Sequence, residues 1–111
     1  MANDISTEPV TESAEDLAKR FAQLVATWKE RMRFSSKIKT MKEHPAFREI
    51  VAMGEKAVPL ILAELEKNGG FVFLALEEIA GPDPIPQEIY GKIGEMQAAW
   101  IAWGREQGYR W

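Results

Sequence analysis

The chain predicts an all-α fold: one compact domain of about five helices arranged around a helical hairpin. Three observations predict it. Apolar residues between Leu17 and Met32 recur at steps of three and four, the period of a helix with one buried face. Glycine and proline punctuate His44 to Leu65 where one helix should end and the next begin. Only Phe71-Val72-Phe73 invites a strand, and no other segment offers it a partner.

The frame of 111 residues supports a single domain. An apolar fraction of 46% is ordinary for a globular chain, and a domain this size buries a stable core without staples. There are no cysteines, which removes disulfides, thiol chemistry and zinc-thiolate sites, and fits a cytoplasmic location. The first residues, MANDISTEPVTE, are acidic and polar, without the basic and apolar regions of a secretory signal. They read as a disordered tail over 1–12, with the helical domain at 13–111. Apolar runs fall far short of a membrane span, so no membrane contact is expected. A net charge of −3 opposes bulk attraction to nucleic acid or anionic lipid and leaves room only for a local patch.

The first helix starts near Ser13, with Ser13 and Asp16 as a shortened capping signal. Leu17, Phe21, Leu24, Val25, Trp28 and Met32 form its stripe. From Arg33 to Glu43 no period is clear, Ser35-Ser36 signals a loop, and Phe34, Ile38 and Met41 are expected to pin the segment to the bundle. His44-Pro45 marks a boundary, because a residue before proline avoids the helical region. Pro45 suits the first position of the second helix, where its missing N–H costs nothing. Phe47, Ile50, Val51 and Met53 give that helix a buried face, and Gly54 supplies the left-handed residue that ends it. The third helix is placed from Glu55 or Lys56 to Lys67, with Pro59 in its first turn and Asn68-Gly69-Gly70 as its stop. Val58, Leu60, Ile61, Leu62 and Leu65 give it a broad apolar arc. The fourth helix covers 71–80 and is closed by Gly81; a rigid proline loop follows through Pro86. The last helix is firm over about 92–106, with Ile93, Met96, Trp100, Ile101 and Gly104 on one face and Gly108 as a stop.

The string Val58-Pro59-Leu60-Ile61-Leu62 after a glycine turn resembles the second helix of a HEAT-type hairpin. With His44-Pro45-Ala46-Phe47, Met53-Gly54, Gly81-Pro82-Asp83-Pro84-Ile85-Pro86 and Trp103-Gly104-Arg105-Glu106-Gln107-Gly108-Tyr109, the chain is similar from about residue 20 to 109 to a group of small, uncharacterised bacterial proteins. Gly69-Gly70-Phe71-Val72-Phe73-Leu74 departs from that group, which tends to carry tryptophan at this helix start. The resemblance implies a compact helical domain in a bacterial or phage setting and no established reaction.

Chemistry is sparse. His44, the only histidine, stands before a proline and reads as a cap or loop residue. Ser35-Ser36 has no nucleophile motif around it. Gly91 and Gly94 lack the lysine and hydroxyl of a phosphate loop. One histidine and scattered acids make no metal set, and no cofactor is expected. Two segments stand out as contact surfaces. Lys29, Arg31, Arg33, Lys37, Lys39 and Lys42 face a single acid, Glu30, and form a candidate contact for nucleic acid or an acidic partner. At the other end Trp103, Arg105, Tyr109, Arg110 and Trp111 are the residue types that anchor protein interfaces. Trp100 and Trp103 are offset by about 60° around their helix and read as core. Tyr109 and Trp111 either fold back on the domain or meet a partner. The expected function is a non-catalytic protein-interaction module, a small subunit of a bacterial or phage-related complex, with toxin neutralisation or defence among its roles. The alternative is a nucleic-acid-binding accessory protein using the Lys29–Lys42 segment.

Overall fold

A computed structural model describes residues 13–33 and 37–111. The tail proposed for 1–12 and the anchoring role of Phe34 lie outside the described residues. Six α-helices order the described residues: α1 (Ala14–Met32), α2 (Ile38–Glu43), α3 (Pro45–Ala52), α4 (Val58–Asn68), α5 (Phe73–Ala80) and α6 (Ile93–Glu106). Two 3-10 turns, Gly54–Ala57 and Gln87–Ile89, join them, and no strand occurs among the described residues. The all-α single domain is therefore confirmed.

The caps fall as the residues dictate. The Asp16 N–H donates to Ser13 Oγ at 3.0 Å at the start of α1. His44 caps α3, its Nδ1 accepting the Ala46 N–H at 3.0 Å, so the lone histidine serves local structure. Gly54 takes φ +69° directly after α3, as its place at a helix end requires.

Three boundaries differ from the sequence reading. The segment before His44 contains a short helix, α2, where no period was legible. Met41 is buried as expected, but Ile38 is 47% exposed, contrary to its expected pinning role. A helix of six residues sets one side chain squarely into the seam beside α1 and α3. Met41 takes that place, and its carbonyl also accepts the Trp28 indole N–H at 2.9 Å. The chain ahead of Val58 is 3-10 rather than α, with the Val58 N–H returning to the Glu55 carbonyl. Pro59 explains this, because its ring clashes with the carbonyl four residues back in an α-helix. Finally α5 starts at Phe73, not Phe71. Gly69 and Gly70 both hold positive φ, and the chain needs a further turn, closed by Leu74 N–H to Phe71 O, before the helix is set.

Packing is by antiparallel pairs around a shared centre. α1 runs against α3: Trp28 meets the Phe47 ring at 5.4 Å near one end, and Arg20 pairs with Glu49 nearer the other. α4 runs against α6: Leu62 faces Gly104, and Gln97 donates to the Gly70 carbonyl just beyond the end of α4. α5 packs against α3, α4 and α6. The glycine corner at Gly54 thus joins two helices whose closest backbone neighbours are α1 and α5 on one side, α5 and α6 on the other. Phe73, Leu74, Ala75 and Leu76 of α5 are all buried, which accounts for its nearly unbroken apolar run. The core contains Phe47, Ile50, Ile61, Leu62, Leu76 and Trp100 at zero exposure and holds no buried polar or charged residue among the described ones. Trp100 does leave its indole N–H without a partner there.

Candidate functional site

The basic segment wraps one end of the α1–α3 pair. Lys29, Arg31 and Arg33 close α1, and Lys37, Lys39 and Lys42 follow on and around α2. Three of these six cations meet a carboxylate among the described residues. Lys29 pairs with Glu64 of α4, Arg33 with Glu30 at 3.1 Å, and Lys42 with Glu78 of α5 at 3.2 Å. Arg48 of α3 also reaches Glu78, at 3.5 Å. Arg31 and Lys39 form no ion pair among the described residues. Much of the charge visible along the chain is thus neutralised in three dimensions.

At the corner of α2 and α3 one apolar side chain is left outside. Ile38, with Lys39, Lys42, Glu43 and Arg48, lines a shallow open depression of about 690 Å³. Ile38 and Tyr90 are the two large hydrophobics exposed among the described residues.

The C-terminal residues fold back. Trp103 is half-buried and meets Trp100 edge-on at 5.2 Å and Tyr109 at 5.8 Å. Arg105 pairs with Glu66 of α4 at 2.9 Å and stacks over Trp111 at 4.9 Å. The Trp111 indole N–H donates to the same Glu66 carboxylate at 2.8 Å, and the Tyr109 hydroxyl donates to Glu55 at 2.9 Å. Arg110 is exposed. Trp103, Arg105, Tyr109 and Trp111 therefore strap α6 to α4 and the Gly54 corner, and Trp103 and Tyr109 keep part of their surface on an adjoining groove. Sequence reasoning singled out neither Arg48 nor Glu55 and reads Glu78, beside Glu77, only as solvated charge. All three are charges on short elements, and what distinguishes them is who meets them across the fold.

Titration follows from these contacts. The hydrogen bond from Arg105, then that from Trp111, holds the Glu66 carboxyl below its usual range. Lys42, then Arg48, does the same for Glu78. Burial raises the Glu77 carboxyl, with Lys42 opposing that rise. Burial, then the Glu55 carboxylate, raises the Tyr109 hydroxyl. A depressed carboxyl stabilises the fold above its unfolded pKa and loses that contribution as pH falls through its folded pKa. Glu77 has the opposite sign: its ionised form opposes folding at neutral pH, and protonation relieves the strain as pH falls. Glu77→Gln should therefore raise the thermal midpoint at pH 7, and the gain should vanish below the carboxylate range. A midpoint that falls at pH 7 would show that the attraction to Lys42 outweighs burial.

Among the described residues no group of three or more histidine, cysteine or acidic side chains is placed to hold a metal ion. No helix among them is long and apolar enough to cross a membrane. The chain matches no family model, no curated protein and no solved structure.

Proposed function

We propose that the chain is a non-catalytic protein-interaction module of HEAT-like type, the small cytoplasmic subunit of a bacterial or phage-related complex, with toxin neutralisation or defence within its range. The observation that supports this reading best is Ile38, half-exposed at the start of α2 and ringed by Lys39, Lys42, Glu43 and Arg48. An apolar anchor with a charged rim is the anatomy of a protein contact, and with Glu43 and Glu78 set against Lys39, Lys42 and Arg48 the rim keeps a net positive charge that favours an acidic partner. The test is affinity capture from the native host with wild type and with Ile38→Asp combined with Lys39→Glu. Both positions are exposed, so the fold tolerates the change. An acidic protein held by wild type and lost by the variant is the expected result. A partner retained by both would remove this corner from the interface.

Nucleic-acid binding is the second reading, favoured by Arg31 and Lys39, which form no ion pair among the described residues. Two phosphate contacts give a salt slope of about −1.8, or roughly a twelvefold loss between 50 and 200 mM salt. Gel shifts with duplex DNA and single-stranded RNA test it. Absence of binding at 50 mM salt would dispose of it.

A further inference from the structure

A second surface, of opposite sign, lies where the Gly54 corner meets the end of α6. Gly54 turns the chain and opens the 3-10 turn, with Glu55 as its second residue. Facing it are Ile79 and Ala80 from the last turn of α5, Trp103 from α6, and Tyr109. With Val51 and Val58 they line an open groove of about 400 Å³. Glu78 also borders the groove, but its charge is shared by Lys42 and Arg48. Glu55 is different. It accepts the Tyr109 hydroxyl and has no cation partner among the described residues.

Three sources of negative potential converge there. The first is the Glu55 carboxylate. The second is the C-terminal end of α5, the negative pole of the helix dipole. The third is the Trp103 and Tyr109 pair, whose ring systems attract cations. The remaining walls are aliphatic. We propose that this groove binds a basic, apolar-flanked segment of a partner protein, seating one arginine or lysine side chain on Glu55 beside Trp103 and Tyr109. Charge complementarity selects the occupant. An acidic segment would set like charges against Glu55 and the pole of α5, and a purely apolar one would desolvate Glu55 with only the Tyr109 hydroxyl and no cation to meet it. The groove does not depend on the reading given to the Ile38 corner.

The test is a titration of the full ¹⁵N-labelled chain, followed by NMR, with an acetylated and amidated tetrapeptide of sequence LRLL and with LELL as its control. LRLL should give saturable shifts at the Trp103 indole N–H and at the Gly54 and Tyr109 amides, with LELL much weaker. Glu55→Gln keeps an acceptor for the Tyr109 hydroxyl, so the spectrum outside the groove should stay as it was. That variant should bind LRLL about threefold to tenfold more weakly, the scale of one partly desolvated cation contact. Ile38→Asp should bind LRLL as wild type does, which separates this groove from the basic corner. No saturable shift, equal affinity for the two peptides, shifts centred elsewhere, or an unchanged Glu55→Gln affinity would each overturn the proposal.

Discussion

Replacing Trp28 with alanine should lower the unfolding free energy by about 3–5 kcal/mol, a large share of the roughly 5–15 kcal/mol that a domain commands. Trp28 is 3% exposed and joins three elements at once. Its ring packs on Phe47 of α3, its indole N–H satisfies the Met41 carbonyl of α2, and its backbone belongs to α1. Alanine removes the packing and leaves a buried carbonyl unpaired, a further cost of about 1–3 kcal/mol included in that loss. Trp28→Phe separates the two contributions, because it keeps most of the ring and loses only the donor. It should cost about 1–3 kcal/mol. Urea unfolding followed by circular dichroism measures both. If the alanine variant unfolded at the wild-type midpoint, α1 would not be held by this contact.

The second large effect is at the crossing of α4 and α6. Leu62→Ala should cost about 2–5 kcal/mol through lost transfer energy and the cavity left behind. Leu62 is fully buried and lies against Gly104, where the helices approach so closely that a Cβ would overlap Leu62 Cδ1 and sit 3.2 Å from the Trp111 ring. Gly104→Ala alone gains about 1 kcal/mol of helix propensity and loses about 1–3 kcal/mol to overpacking. The two changes answer each other, since the new methyl enters the space that leucine vacates. The double variant should therefore be more stable than the sum of the singles implies, by about 1 kcal/mol or more. Strict additivity would show that the two side chains do not share this contact.

These contacts show what local pattern conveys. Helices of eight residues or more were legible, because Ser13, Gly54, Gly81 and Gly108 punctuate them and their apolar faces run for at least two turns. α2 was not legible, since six residues give too few repeats to reveal a period, and that is also why Ile38 was misplaced. The 3-10 turn before Val58 was hidden in the choice of which turn Pro59 would tolerate. The contact surfaces were legible as residue types only. A run of cations between Lys29 and Lys42 is visible in the chain, but its neutralisers, Glu64 and Glu78, lie far away in sequence and meet it only once α4 and α5 have packed. Trp103 and Tyr109 stood out as aromatics. Glu55, which gives their groove its sign, is an ordinary residue until Tyr109 returns across 54 positions to touch it.

The shared position of α5 sets an order on synthesis. A ribosome delivers α1, α3 and α4 before the segment against which α3 and α4 both rest, and α6 emerges later still. Until Ala80 has cleared the exit tunnel, α1 and α3 can close only on each other, and the faces of α3 and α4 that meet α5 stay open. The nascent chain must then carry bare apolar surface through most of its translation, the interval in which a holdase or a waiting partner would protect it.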